Sequence, residues 1–180
     1  QVRPNDVSDP EIVSAFLKTP REAFVPTSRK SVAYSELEIE TSEGRALWTP
    51  RDTGKLVKLA GIKPSDIVLV IGAGSGYEVA LISRLAETVI ALEEDDARVD
   101  AMSERFTALG IDQAVAVKGD LAAGLPDQAP LDLPTRRGRA PGSRDAGARR
   151  PRPRQGLHAR RRCGVRARRI RCFSAEILRI

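Results

Sequence analysis

The sequence predicts an α/β domain built on a doubly wound parallel sheet, and three observations predict it. The runs "DIVLVIG" (66–72), "TVIALEED" (88–95) and "AVAVKGD" (114–120) are rich in β-branched and apolar residues. The first two show no polar alternation, as expected of strands buried on both faces. Between the runs lie "GYEVALISRLAE" and "DARVDAMSERFTALGI", whose apolar residues recur at helical spacing. Strand, helix, strand, helix, strand over residues 66–120 gives a sheet of parallel strands. In the first of these helices Val79, Ala80, Ile82 and Leu85 face inward; the second ends at Gly110. After the third strand the pattern stops. That strand is left with missing neighbours and an exposed flank, so the sheet is incomplete on its C-terminal side.

The chain has 180 residues, 41% of them hydrophobic, enough for one domain with a sizeable core and too few for two. It divides into a leader region of the same domain (1–65), the α/β core (66–133), an Arg-rich segment (134–172) and a C-terminal end (173–180). In the leader, "SDPEIVSAFLKTP" predicts a helix with Ser8 or Asp9 as N-cap and Pro10 at the first position. Ile12, Val13, Phe16 and Leu17 share its apolar face, and Pro20 ends it. "REAFVP" and "RKSVAYSELEIE" are polar stretches with scattered apolar anchors. "TPRDTGKLVKLAGIKP" predicts a short amphipathic helix carrying Leu56, Val57, Leu59 and Ala60 and closed by Gly61.

The formal charge of +6 and the pI near 9.8 are sums over two unlike pieces. Residues 1–135 hold 14 Lys and Arg against 22 Asp and Glu, whereas residues 136–171 hold 15 Arg, no Lys and one acid, Asp145. Large apolar residues there scarcely go beyond Leu157, Val165 and Ile170, too few to offset the entropy of ordering the segment. The exclusion of lysine discriminates between readings, since the first 135 residues use six Lys and eight Arg. A need for charge would not exclude lysine. A shifted reading frame in a GC-rich gene would, because it yields Arg, Gly, Ala and Pro codons. The residue usage therefore predicts a frame change near residues 132–135, restored near Phe173, where "FSAEILRI" again resembles ordinary protein. The competing readings are a natural disordered tail and an arm for nucleic acid or another polyanion. Phosphate neutralisation needs little beyond cations, but residues 136–171 contain no aromatic side chain to stack on bases. His158, alone in this segment, is expected to be a solvated residue without a catalytic role.

Cys163 and Cys172 are too few and too isolated for a disulfide framework or a metal knuckle. The sequence shows no charged-then-apolar leader and no apolar run of about 18 residues, so the expectation is a cytoplasmic protein without a membrane partner.

The chemistry centres on "VLVIGAGSGYEVALI" (68–82), where a buried strand breaks on Gly72, Gly74 and Gly76 before a helix resumes. Such a turn lets backbone approach a ligand, and the following helix N-terminus favours an anion or carboxylate. Dinucleotide sites place their glycines at G-x-G-x-x-G, with the third at the position held here by Tyr77. The spacing in this chain is G-x-G-x-G, the form typical of methyltransferases that use S-adenosylmethionine, which has no pyrophosphate to accommodate. Two acids follow at the carboxyl ends of the next strands, where ligands bind in this architecture. Glu93 is placed to accept hydrogen bonds from a ribose diol, and Asp120, with Leu121 beside it, to reach an adenine edge.

"VRPNDVSDPEIVSAFLKTPREAFVP", "AYSELEIE", "GRALWTP", "VLVIGAGSGYEVALISRLAETVIALEED" and "KGDLAAGLPDQAPLD" together resemble the protein-L-isoaspartate O-methyltransferase family, in order and at similar spacing. The resemblance covers about residues 2–133, and "PREAFVP" and "AY" are more specific to it than the glycine turn. It implies a Rossmann-like class I methyltransferase fold. It also implies transfer of the S-adenosylmethionine methyl, without a metal, to the free α-carboxylate of isoaspartyl residues in damaged proteins or peptides. The ester then cyclises to a succinimide that reopens partly to normal aspartate, which is repair. By the same resemblance Gly72, Gly74 and Gly76 cradle the methionine part, Glu93 the ribose and Asp120 the adenine; Leu121 is also expected at the cofactor, and the expected state is a monomer.

The chain departs from the family's pattern at two positions of the site. Val70 stands where members usually carry an acid two places before the first glycine. In "ALWTP", Trp48 stands where repair enzymes have a substrate-presenting serine, and Thr49 is the hydroxyl one residue along. Thr49 is thus the candidate catalytic side chain, its alternative being a loop threonine before Pro50. Two other functions fit the sequence: an inactive remnant of the fold whose Arg-rich tail binds a polyanion, and a methyltransferase with another acceptor.

Overall fold

A computed structural model describes residues 2–42, 45–125, 131–132 and 170–174. The stretch 133–169, with its arginines, His158 and Cys163, lies outside the described residues.

The first helix, α1 (Pro10–Lys18), starts where the proline predicts, with Asp9 capping the Glu11 N–H at 3.0 Å. It buries Ile12, Val13 and Ala15, while Leu17 is exposed, contrary to expectation. At about 100° per residue Leu17 lies roughly 125° from the centre of the buried face, and Ala15 takes its place. Two 3-10 turns follow, Arg21–Phe24 and Thr27–Val32. The next segment forms an antiparallel hairpin absent from the sequence reading, β1 (Ile39–Ser42) and β2 (Arg45–Leu47). Helix α2 (Pro50–Ala60) ends at Gly61 in the left-handed region, φ 55°. It buries Thr53, Gly54 and Val57 and leaves Leu59 exposed, a second correction of the same kind.

The core elements appear in the expected order: β3 (Ile67–Ile71), α3 (Tyr77–Ile82), β4 (Thr88–Glu93), α4 (Asp96–Ala108) and β5 (Ala114–Lys118). Pairing is parallel, β3 to β4 and β4 to β5. Strand β5 has one neighbour among the described residues, and Val115 on it is 48% exposed, as expected for an edge. On the opposite side β3 is covered. A strand from the chain's far end, β7 (Ile170–Ser174), pairs with it in parallel over five residues, and β6 (Leu131–Asp132) pairs with β7. The sheet order is β5-β4-β3-β7-β6. Strand β7 crosses the expected boundary at residue 173. Its five-residue ladder satisfies more of the open backbone edge of β3 than the two residues of β6 would.

Strand alternation divides the core. Val68, Val70, Val89 and Ala91 join buried residues of all four helices in one cluster, while Leu69, Ile90 and Leu92 form a second cluster with Leu121 and Leu125. Among the described residues no helix is long and apolar enough to cross a membrane.

Candidate active site

Three strand ends are joined at the sheet's carboxyl rim by backbone hydrogen bonds. The N–H groups of Gly72 and Ala73 both donate to the Leu92 carbonyl, at 3.0 and 3.3 Å, and Gly119 N–H donates to the Glu93 carbonyl at 3.0 Å. The glycine turn needs its glycines: φ is 69° at Gly72, 52° at Gly74 and 84° at Gly76, all left-handed. Gly76 has a second reason to be glycine. A Cβ there would stand 2.7 Å from Met102 Cγ and 3.1 Å from Phe106 Cε1, so this position answers to the packing of α3 against α4.

Glu93 is fully buried at the centre of the rim. Its Oε2 accepts the Gly74 N–H at 3.0 Å and its Oε1 the Glu94 N–H at 3.1 Å. Arg98 Nη1 approaches Oε1 at 3.5 Å and Arg45 Nη2, from the hairpin, at 3.7 Å. A buried carboxylate is tolerated because two N–H donors and two cations surround it. Asp120, one residue past the rim bond, is exposed, and its Oδ1 caps the turn after it by accepting Ala122 N–H at 2.7 Å. Leu121 packs beneath on the cluster of Leu69, Ile90 and Leu92. Against the turn opens a cleft of about 600 Å³ whose walls include Gly74, Ser75, Asp95 and Arg98, with Phe24 and Thr41 from the leader. That volume lies within the usual range for small-molecule sites.

Thr49 is placed differently. Its Oγ1 accepts the Asp52 N–H at 3.1 Å and donates to Asp52 Oδ2 at 2.9 Å, which makes it the N-cap of α2. In this conformation the hydroxyl that was the candidate for the acceptor is engaged with Asp52 at the cap.

Beside it lies a buried polar group that sequence reasoning missed. Arg21, 1% exposed, donates Nε to the Ala33 carbonyl at 2.7 Å and Nη2 to the Trp48 carbonyl, and its guanidinium stacks 4.9 Å from the Tyr77 ring centroid. Phe24 meets the same ring edge-on at 5.5 Å. Glu78, also buried, has its carboxyl pushed up to about 7 by burial, against the pull of the Arg21 charge. Burial likewise raises the Tyr77 phenol.

The model of the protein-L-isoaspartate(D-aspartate) O-methyltransferase family matches residues 1–135. The chain belongs to this family. The protein-L-isoaspartate O-methyltransferase of Roseiflexus castenholzii is 36% identical over 126 residues, 70% of this chain and 58% of that protein. The enzyme of the same name from Methanoculleus marisnigri is 33% identical over 132 residues, 73% of this chain and 60% of that protein. A solved protein-L-isoaspartate O-methyltransferase superposes with a TM-score of 0.61 at 28% identity, covering 71% of this chain and 42% of that one. The chain thus spans 58–60% of the length of the two named relatives and 42% of the solved chain.

Val70, where the resemblance to the protein-L-isoaspartate O-methyltransferase family leads one to expect an acid, lies on β3 just before the turn. It is fully buried among the apolar residues of the helical face, where a valine needs no partner and an acid would. The structure brings Gly72, Gly74 and Glu93 into one constellation and sets Asp120 one residue beyond its edge. Thr49 follows Trp48, whose carbonyl accepts from Arg21. The signal available for Arg21 was its place in "PREAFVP"; Arg45, Arg98 and Glu78 carried none beyond their charge.

Proposed function

We propose that this chain is the cofactor-binding part of an S-adenosylmethionine-dependent enzyme that methylates the free α-carboxylate of L-isoaspartyl residues in damaged proteins. The observation that carries the reading is the Gly74 N–H to Glu93 Oε2 bond, which ties the glycine turn, whose Gly74 lines the cleft, to the acidic end of β4. The family match over residues 1–135 supplies the acceptor class.

The residues present suit the cofactor chemically. Gly72 and Gly74 offer bare backbone for its methionine part, and Gly76 keeps the turn tight against α4. Among the described residues Oε2 of Glu93 accepts only the Gly74 N–H and keeps a lone pair for a ribose hydroxyl, while Oε1 also meets Arg98 and Arg45. Asp120 and Leu121 stand at the rim for the adenine. When bound, the cofactor supplies a methyl already activated by a sulfonium. Held by Gly72, Gly74 and Glu93, it would offer that methyl to an acceptor carboxylate with a neutral thioether as the leaving group. A carboxylate is already a nucleophile, so the protein's work is alignment and exclusion of water. Thr49 contributes its position between Trp48 and α2 rather than its hydroxyl. The reading implies a cytoplasmic monomer whose partners are isoaspartyl proteins or peptides. Residues 134–172 we infer to be the product of a shifted frame.

Titration with methyl-labelled S-adenosylmethionine and an isoaspartyl peptide tests this. Base-labile methyl ester on the peptide, absent from its aspartyl isomer, is expected. Salt-sensitive RNA binding without cofactor binding would overturn the reading.

A further inference from the structure

Arg21 touches three separate parts of the chain at once. Its guanidinium holds the Ala33 carbonyl in the leader, the Trp48 carbonyl just before α2, and the face of Tyr77, the residue after the last glycine of the turn. Its backbone N–H donates to Tyr34 Oη at 3.2 Å, and that phenol donates to Glu22. Burial makes the arrangement stiff, because a guanidinium out of water must keep its carbonyl partners and its aromatic face. Arginine suits it where lysine does not: a planar fork serves two carbonyls and stacks simultaneously, while a point ammonium does neither well. Two buried polar atoms here, Arg21 Nη1 and Glu78 Oε1, have no hydrogen-bond partner among the described residues. Such a group is not built for stability alone, since leaving both unsatisfied is costly.

We propose that Arg21 is the positioning residue that sets the acceptor segment, Trp48–Thr49, against the cofactor's glycine turn, so that occupation of the turn is felt at Trp48 through Tyr77 and Arg21. The assignment of those two segments to acceptor and cofactor rests on the function proposed above. The Gly74–Glu93 contact does not involve Arg21, so cofactor affinity and acceptor placement separate on mutation.

Trp48 is the chain's one tryptophan, which makes the coupling directly visible in fluorescence. In Arg21→Lys, calorimetry should give an S-adenosylmethionine Kd within about threefold of wild type, while KM for an isoaspartyl peptide rises about tenfold or more. Trp48 emission should shift on cofactor addition in wild type and no longer respond in the variant, where acrylamide should quench it more strongly even without ligand. If Arg21→Lys fails to fold, Tyr77→Leu, which keeps apolar bulk but removes the ring face, should show the same separation. Cofactor affinity and peptide KM worsening in parallel would overturn the proposal, as would unchanged quenching and an intact Trp48 response. Should wild type esterify no isoaspartyl peptide, the functional reading falls, and the ligand-free quenching difference still decides the role of Arg21.

Discussion

Gly74 donates its backbone N–H to Glu93 Oε2 at 3.0 Å, across nineteen residues of sequence, and Glu93 is wholly buried where it accepts. One hydrogen bond thereby links a turn conformation that needs glycine to a charge that needs partners. Glu93→Gln removes the charge and replaces one acceptor oxygen by a donor facing an N–H or a cation. It is expected to cost about 1–3 kcal/mol in denaturant unfolding and to weaken S-adenosylmethionine at least about tenfold by calorimetry. Glu94→Gln is the control: Glu94 pairs with Arg45 at 3.2 Å but is 59% exposed, and its loss should cost under about 0.5 kcal/mol.

Gly76→Ala meets two obstacles, a left-handed φ of 84° and a Cβ 2.7 Å from Met102 Cγ. Together they should cost about 2–4 kcal/mol. Shortening the neighbour relieves only the contact, so in Gly76→Ala/Met102→Ala a double-mutant cycle should recover part of the loss, and full additivity would refute the clash.

Glu78 makes stability depend on pH. Its carboxyl is raised from 4.5 to about 7 chiefly by burial, so the folded state holds the proton more tightly than the unfolded chain. This contribution is complete below the unfolded value and is lost as pH rises through about 7. Glu78→Gln should abolish that slope, matching wild type near pH 4.5 and exceeding it near pH 8 by on the order of 2–3 kcal/mol. Parallel stability curves for the two proteins would exclude it.

The Thr49 hydroxyl donates its proton to Asp52 Oδ2 and accepts the Asp52 N–H. Thr49→Ala should therefore lower stability by about 1 kcal/mol, with Thr49→Ser restoring most of it. Peptide kcat/KM should fall less than about threefold; a loss of a hundredfold at unchanged melting temperature would return the hydroxyl to catalysis.

Reading the gene across codons 128–175 in all three frames tests the origin of the Arg-rich segment. An apolar strand and helix pattern is expected to appear in one of the other frames, continuing the fold beyond β6; continued Arg-rich composition in every frame would leave a natural tail as the explanation.

The amino-acid order alone determined the alternation of strands and helices over residues 66–120, the glycine turn and the acid ending β4. Each depends on local chemistry: β-branched runs, helical spacing, and a backbone path open chiefly to glycine. The α1 and α2 helices were legible for the same reason, through Pro10 and Gly61. Which apolar residue of a helix faces the core was not, as Leu17 and Leu59 show, because facing depends on the partner surface. Only the tertiary structure decided that Ile170–Ser174 lies beside β3, that Thr49 caps α2, and that Arg21 joins Ala33, Trp48 and Tyr77. Those relationships join residues far apart in sequence or competing for one hydroxyl, and no local pattern encodes which partner wins. Burial decides it, by requiring every strand edge, carboxylate and guanidinium removed from water to find partners within reach.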